Sequence, residues 1–317
     1  MCASMRRPRA PKSSSVCAKA NASFPFETTA KVSTASPPPP ARVLRTSARG
    51  PRASKAASRS RPGRGWGRRS KSCCARSEPP YAGGVKDPVA LCADAVAGWH
   101  SAWLKALGLR CVRDTLTWRA LDRPPAMYFA AITLRPDVPE TAVASVPGSV
   151  CDNWQTLSLE PFGLKVWRTE PWFHRPPAPV SVQIPSELEV MRVSTAAEVQ
   201  EFEAVSVRGF ENEDATIPPG AIHPPAILED HNMEMFLARV DGRAVGGAMG
   251  YRTDDAVGVF GVTVVASARR RGYGTALTCV AMLPESGLPC VLAPSPEGVP
   301  VYSKLGFSRV GELSIWS

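Results

Sequence analysis

A basic, glycine-containing turn joins a strand-like segment to a helix-like segment in the C-terminal third of the 317-residue chain. The apolar run 257–265 comes first, the turn runs from Arg269 to Gly274, and 275–282 has the composition of a helix. The N–H groups of a first helical turn lack intrahelical acceptors, and the helix dipole favours negative charge there. Glycines let an anion approach the backbone, and arginines add charged donors. The sequence therefore predicts a phosphate-binding site at this turn.

The spacing of the turn differs from the two commonest nucleotide motifs. It lacks the Gly-x-x-x-x-Gly-Lys-Ser/Thr of a P-loop, and it has two glycines where the dinucleotide fingerprint needs three. Arg269, Gly272 and Gly274 instead fit the pattern Arg-x-x-Gly-x-Gly. Residues 262–277 therefore resemble the acyl-CoA-binding motif of the GNAT superfamily of N-acetyltransferases.

A second segment, about thirty residues downstream, strengthens this resemblance. A short apolar strand at 290–293 is followed by a turn at Ser295, a short helix with Tyr302, and the tripeptide 305–307, Leu-Gly-Phe. The last core segments of GNAT enzymes have this order and spacing. The resemblance is close over 187–317 and loose over 86–180.

The resemblance implies an α/β (α+β) fold with a mixed, mostly antiparallel sheet flanked by helices. It implies acetyl-CoA as co-substrate and an N-acetyltransferase activity, with an N–H at Val264 polarising the thioester carbonyl. Tyr302 would be the general acid, because an ordinary tyrosine of pKa about 10 is protonated at neutral pH. The residues implied to hold acetyl-CoA are Val262, Thr263, Val264, Arg269, Arg270, Arg271, Gly272, Tyr273, Gly274 and Thr275, with the N–H groups of 270–275 at the pyrophosphate.

The general base stays open at this stage. A free alkylammonium is only about one part in a thousand neutral at pH 7, so a base or a proton-accepting water chain is required. The carboxylate frequent at the start of the preceding strand is absent, because 259–263 carries no basic group. Candidates in the acceptor-shaping region 200–235 are Glu203, Glu213, Asp214, Glu229, Asp230, His223 and His231.

Basic residues are concentrated in the first 85 residues. This segment holds 18 of the 38 Lys and Arg but only two acidic residues, whereas the remainder has 20 basic and 26 acidic residues, a net charge of −6. The segment is rich in Ser, Ala and Pro and is predicted to be disordered. Three alternatives stay open: an organelle transit peptide, a nonspecific nucleic-acid-binding tail, or sequence from upstream of the true start. A nucleic-acid partner is predicted only through this tail.

The acidic balance of the remainder favours a positively charged acceptor. Residues 187–255 contain 14 Asp and Glu against 5 Arg and no Lys. A cationic primary amine is therefore expected, carried by a small metabolite, an aminoglycoside-like drug, a polyamine or a peptide.

The cysteine pattern and the lengths of the apolar runs indicate in which cellular compartment the protein is expected. The nine cysteines form no Cys-x-x-Cys pair, and the four histidines lie outside metal-ligand spacing, which predicts a reducing compartment and no metal. No apolar run approaches the 18 residues of a membrane span. A cytoplasmic protein is expected, or an organellar one if 1–85 is a transit peptide.

A proline-rich stretch at 175–179 predicts a boundary between an α/β region at 86–180 and an acetyltransferase domain at 187–317. Phe-Gly-Leu at 162–164 parallels Leu-Gly-Phe at 305–307, and each is followed nine residues later by an aromatic residue. The first region is therefore interpreted as a possible degenerate GNAT-like half or an unrelated extension.

Expected elements are helices at 95–107 and after the capping box 195–198, strands at 110–118, 127–134, 188–193 and 257–265, and a hairpin turning at 241–242.

Two other classes of function remain beside the enzyme. A noncatalytic acyl-CoA sensor would keep the phosphate site without turnover. A nucleic-acid-tethered protein would act through 1–85 and show salt-dependent binding that is lost with that segment.

Overall fold

A computed structural model describes residues 86–317. The predictions for 1–85 lie outside these residues. Within 86–317, no helix combines the length and apolar character needed to cross a membrane. The described residues belong to one compact unit.

The helices and strands alternate along the chain in two successive series. The helices of residues 86–317 are α1 (Pro88–Ala106), α2 (Ala196–Phe210), α3 (Tyr273–Ala281) and α4 (Val299–Lys304). The strands of the first series are β1 (Cys111–Arg113), β2 (Thr117–Ala120), β3 (Ala131–Thr133), β4 (Val150–Asp152) and β5 (Val166–Arg175). The strands of the second series are β6 (Glu189–Arg192), β7 (Met233–Val240), β8 (Arg243–Arg252), β9 (Val257–Val264), β10 (Cys290–Leu292) and β11 (Ser308–Trp316).

Short sequence motifs correctly predict the start of α2 and the turn between β7 and β8 in the second series. The capping box is present, with the Thr195 hydroxyl accepting from the Glu198 N–H and the Glu198 side chain bonding back to Thr195. The hairpin of β7 and β8 turns at Asp241 and Gly242, whose φ angles of 50° and 75° both lie in the left-handed region.

The first series departs from expectation. The strand expected at 110–118 is a hairpin of β1 and β2, because Asp114 accepts hydrogen bonds from the N–H groups of Leu116 and Thr117 and makes a turn. The helix expected from residue 95 begins at Pro88, where the Asp87 side chain caps it by accepting from Val89.

All strands form one sheet in the order β1-β2-β3-β4-β11-β5-β10-β9-β8-β7-β6. Only the pairs β3·β4 and β9·β10 are parallel. The predicted mixed, mostly antiparallel sheet flanked by helices is confirmed.

The strand order is pseudo-symmetric about the pair β5·β11. Outward from β11 follow β4, its parallel partner β3, and then β2 and β1. Outward from β5 follow β10, its parallel partner β9, and then β8 and β7. Strand β5, the last of the first series, thus pairs with β10 of the second series, and β11, the last of the second series, pairs with β4 of the first. Each of these two last strands follows a glycine in the left-handed region, Gly163 or Gly306, with φ of 87°. This symmetry supports the interpretation of 86–180 as a second half, which stays a prediction.

The helices cover both faces of the sheet. A Cβ added at Gly246 would approach Leu277 of α3 to 3.0 Å, whereas one at Gly247 would approach Phe202 of α2 to 2.6 Å. Because neighbouring strand residues point to opposite faces, α2 and α3 lie on opposite faces of β8. Helix α1 packs on the same strands, since a Cβ at Gly98 would meet Tyr251 at 2.4 Å. The main core lies between these layers.

A buried arginine ties the proline-rich stretch to the end of α4. Arg175 is 8% exposed and donates to carbonyl oxygens of Leu305 at 2.8 Å, Ala178 at 3.0 Å and Pro179 at 3.0 Å. The predicted boundary therefore lies beside a strand in the middle of the sheet, and the division at 180–187 stays a prediction.

Candidate active site

The basic turn between β9 and α3 has a backbone shaped to expose its N–H groups. Arg270 has φ of 64° and Gly272, the N-cap of α3, has φ of 82°. Within residues 86–317, none of the six N–H groups from 270 to 275 donates a hydrogen bond to the protein. A run of unpaired N–H groups at a helix start binds anions. We call residues 269–275 the anion cradle.

The two glycines of the cradle have different reasons to be glycine. At Gly272 the positive φ disfavours any side chain. At Gly274 the backbone is helical, and outside its own helix an added Cβ would meet only Val264 Cγ2, at an ordinary 3.8 Å. Protein packing therefore leaves room for a methyl group at 274, whereas a diphosphate lying on the N–H groups would fill that room. These residues fit the pyrophosphate of an acyl-CoA.

Side chains of the cradle also have structural roles. The Arg269 guanidinium donates to the carbonyl oxygens of Val264 at 2.9 Å and Gly209 at 2.8 Å, which ties β9 to the end of α2. Tyr273 is buried and donates its hydroxyl to Glu187 at 2.9 Å. The prediction that Arg269 supplies a charged donor to the ligand is therefore wrong, and its N–H also donates within the protein, to the Ala266 carbonyl at 3.3 Å. Tyr273 can contribute through its backbone N–H, which has no acceptor among the described residues.

Strand β9 has an open edge next to the cradle. It pairs with β10 only at Val257 and Gly258, after which the two parallel strands separate. On its other side, the N–H of Val265 donates to Val245, so the N–H of the preceding Val264 points away from β8 and toward the opening. The backbone of Val264 can therefore bind an extended ligand as an added strand would. The Thr263 side chain is turned away and packs on Gly209 of α2.

A cavity of about 290 Å³ lies where β9 and β10 separate. Residues from both series line it, including side chains of α1, β5, α2, β9 and α4. Its ionisable lining residues are His100, Arg168, Glu170, Glu211, His223 and Tyr302. Most of the remaining lining is aliphatic or aromatic, so the cavity combines an apolar wall with a few ionisable groups, as is typical of small-molecule sites.

Tyr302 is the only predicted catalytic residue, and it lines this cavity. Its ring lies over the backbone of Gly298, where an added Cβ would come within 2.7 Å, and edge-on to Phe307 at 6.0 Å. Burial raises the pKa of Tyr302 to about 12, and a hydrogen bond with Thr278 acts in the opposite direction. The phenol is therefore protonated throughout the physiological range and can donate.

None of the carboxylates that were candidate bases lines the cavity. Glu203 is buried, and its oxygens accept from the N–H groups of Gly220 at 2.6 Å, Ile222 at 2.7 Å and His223 at 2.8 Å. This carboxylate holds a loop instead of facing a ligand. Glu213, Asp214, Glu229, Asp230 and His231 are absent from the lining residues of the cavity as well.

Two carboxylates that sequence reasoning missed do line the cavity. Glu170 of β5 pairs with Arg168, whose Nε lies 2.8 Å from its Oε1. Burial raises the pKa of the Glu170 carboxyl, and the Arg168 guanidinium lowers it in part. Glu211 follows the last residue of α2, and its buried Oε1 has no hydrogen-bond partner among the described residues. A sequence signal existed for the pair of Arg168 and Glu170, since these two residues and the buried Trp172 alternate along one face of a strand.

Both histidines of the cavity are held neutral. His223 is 4% exposed, and neither ring nitrogen has a hydrogen-bond partner within residues 86–317. Its ring lies 4.6 Å from Trp103, and burial lowers its pKa to about 3. His100 donates through its Nδ1–H to the Val96 carbonyl at 2.8 Å, and burial lowers its pKa to about 4. Among the predicted bases, only His223 faces the cavity, and its lowered pKa makes it a weak one.

Comparisons with known proteins agree with the fold. Residues 199–307 match the family model of the acetyltransferase (GNAT) family. A GCN5-related N-acetyltransferase from Kribbella flavida has a similar fold, with 20% identity, coverage of 70% of this chain and 94% of that one, and a TM-score of 0.50. A GNAT-family protein from Novosphingobium aromaticivorans has 18% identity, coverage of 71% and 98%, and a TM-score of 0.48. A search among curated protein sequences finds no match.

The fold and the family match define an acyltransferase. The anion cradle and the Tyr302 segment both lie within the matched residues. Residues 199–307 of the chain therefore match a GNAT acetyltransferase domain.

Proposed function

We propose that the protein is an acetyl-CoA-dependent N-acetyltransferase that acts on a primary amine. The observation that carries the proposal is the set of six unpaired N–H groups of the anion cradle, next to a cavity that contains Tyr302. Acetyl-CoA supplies an acyl carbon joined to a thiolate leaving group. The protein must therefore hold the diphosphate, free the amine of a proton and return a proton to the leaving sulfur.

The cradle and the open edge of β9 position the co-substrate. The N–H groups from 270 to 275 hold the diphosphate, and the guanidinium groups of Arg270 and Arg271 add charge beside it. The N–H of Val264 stabilises the negative charge that develops on the carbonyl oxygen during attack.

Glu170 is the base of this proposal. A carboxyl whose pKa is raised by burial binds a proton more strongly than an ordinary glutamate. Glu170 therefore accepts the first proton of the ammonium group, and the freed nitrogen lone pair attacks the acyl carbon. Arg168 remains paired with Glu170 and limits how far its pKa rises.

Tyr302 provides the proton for the leaving group. As the carbon–sulfur bond breaks, its hydroxyl donates to the sulfur, and the second amine proton restores the phenol through solvent. The balanced products are an N-substituted acetamide, free CoA thiol and one proton. A phenol of pKa about 12 is fully protonated before this step.

Substitution of Tyr302 by Phe tests the catalytic part. We expect kcat for thiol release from acetyl-CoA to fall at least about tenfold, in line with the usual contribution of a positioned acid. Calorimetric titration should give an unchanged Kd for acetyl-CoA, because the cradle is intact. Ser303→Ala, an exposed neighbour on α4, is the matched control and should retain full turnover.

A noncatalytic acyl-CoA sensor is the second candidate, since it would need only the cradle. Binding of acetyl-CoA without thiol release in the presence of any amine of a broad panel would favour the sensor. Thiol release that Tyr302→Phe leaves unchanged would remove Tyr302 from the mechanism.

A further inference from the structure

The charge of the cavity differs from the charge of the sequence around it. Of the 14 acidic residues in 187–255, Glu211 alone lines the cavity. Several of the others form ion pairs outside the cavity, such as Glu201 with Arg239 and Glu234 with Arg192. The acidic composition therefore describes the surface and the loop supports, and it gives no reason to expect a polycation in the site.

The charged side chains that line the cavity can neutralise one positive charge of a ligand. Its charged lining residues are Arg168, Glu170 and Glu211, which give a net charge of −1. Arg168 and Glu170 already offset each other at 2.8 Å, and the two histidines are neutral because burial lowers their pKa values. Glu211 is left with a buried oxygen that no described residue satisfies. A buried carboxylate oxygen of this kind calls for a cationic or hydrogen-donating ligand.

One side of the cavity is aromatic. Trp99 stacks on Phe260 with ring centroids 5.1 Å apart, and Phe129 stacks on His100 at 4.9 Å. Trp99, Phe129 and Phe260 all line the cavity, and we call them the aromatic wall. Flat rings held by stacking bind aromatic or branched aliphatic groups by burying their surface. They offer no acceptors for the hydroxyl groups of a sugar.

Neutral polar atoms complete the lining. Both ring nitrogens of His223 and the hydroxyl of Ser206 are unpartnered, at 4% and 5% residue exposure. Such buried groups are satisfied by a ligand or by ordered water. Because the imidazole is uncharged, it can accept a hydrogen bond from an ammonium or hydroxyl group without repelling it.

We propose that the acceptor is a small primary monoamine with an aromatic or branched aliphatic body, whose body packs on the aromatic wall and whose ammonium group binds Glu211 before it gives its first proton to Glu170. This inference rests on the proposed function and narrows it, since polyamines and aminoglycosides carry several charges that the cavity cannot offset. The cavity volume of about 290 Å³ is just below the range of roughly 300–1,000 Å³ for small-molecule sites, which also favours a small acceptor.

The test compares three probes on the full chain saturated with CoA: 2-phenylethylamine, its neutral isostere 2-phenylethanol, and spermidine. Calorimetric titration should show 2-phenylethylamine binding at least tenfold more tightly than either of the others. Glu211→Gln should remove the advantage of the amine over the alcohol. Asp214→Asn, an exposed carboxylate three residues further along, should preserve it.

The outcomes separate this inference from the proposed function. Spermidine binding as tightly as 2-phenylethylamine, no binding of either amine, or an unchanged preference in Glu211→Gln would overturn the inference. A parallel thiol-release assay with acetyl-CoA examines transfer. Acetyl transfer to spermidine alone would support the proposed acetyltransferase function and overturn the inference of a monoamine acceptor. Tight binding of 2-phenylethylamine without transfer to any amine would support the monoamine site and contradict the acetyltransferase function.

Discussion

The two glycines of the anion cradle should respond oppositely to alanine in stability and alike in ligand binding. At Gly274 the backbone is helical and the nearest atom outside the helix is 3.8 Å from the added Cβ. Gly274→Ala should therefore raise the free energy of unfolding by up to about 0.5–1 kcal/mol, the usual gain for this change inside a helix. At Gly272, with φ of 82°, alanine should lower it by about 1–2 kcal/mol.

Both variants should nevertheless bind acetyl-CoA more weakly, because a diphosphate cannot approach the N–H groups past a new methyl group or a distorted turn. Loss of one hydrogen bond to a charged group costs about 1.5–3 kcal/mol, so Kd should rise at least about tenfold. Urea unfolding gives the stability of each variant, and calorimetric titration of acetyl-CoA gives its affinity.

Gly287→Ala is the control for backbone strain alone. Gly287 has φ of 65°, has no atom within 4 Å of an added Cβ, and follows the opposite end of α3. It should lose stability as Gly272→Ala does and keep normal affinity. A Gly274→Ala protein that is stable and binds acetyl-CoA as tightly as the parent would refute the cradle as the diphosphate site.

Three further substitutions examine the supports of the site. His223→Phe should change the free energy of unfolding, relative to the parent, by about 2 kcal/mol more in the stabilising direction at pH 5 than at pH 7. The reason is that a histidine of lowered pKa stays neutral in the folded protein, whereas the same histidine in the unfolded chain takes up a proton below pH 6.5. A difference between variant and parent that urea unfolding finds to be the same at both pH values would contradict this. Glu203→Gln should cost about 2–3 kcal/mol, since an amide cannot accept all three N–H groups, and equal urea midpoints would show that the loop is held otherwise. Arg175→Lys should cost about 2–4 kcal/mol, because one ammonium cannot reach the carbonyls of Leu305, Ala178 and Pro179 together; thermal unfolding at the parent's Tm would refute that role.

Features encoded by neighbouring residues could be predicted from the sequence. The capping box at Thr195, the turn at Asp241 and Gly242, and the cradle between Arg269 and Gly274 depend on backbone angles and hydrogen bonds within a few residues. Their residue types have few alternative uses at that spacing. The fold class followed from them, because they fix the order of the elements in the second series.

Features that depend on distant pairing could not be predicted in the same way. Glu170 reaches the cavity only because β5 enters the sheet between β10 and β11, with partners such as Leu313 more than a hundred residues away. A carboxylate that supports a loop, such as Glu203, and one that lines the cavity, such as Glu211, look identical in a sequence. The direction of each side chain decides between them, and composition holds no information about direction.

The pseudo-symmetric sheet explains why the two series contribute different parts of one site. In the second series the parallel strands β9 and β10 are joined through α3, whose N-terminus forms the cradle. In the first series the parallel strands β3 and β4 are joined by a segment whose only helical turn is the short Glu140–Ala142, so the described residues offer no second helix start beside them. The first series instead contributes α1 and β5, which carry the Trp99 side of the aromatic wall and Glu170. Because β5 lies inside the sheet beside strands of the second series, the cavity lined by both series forms only when the two series fold together.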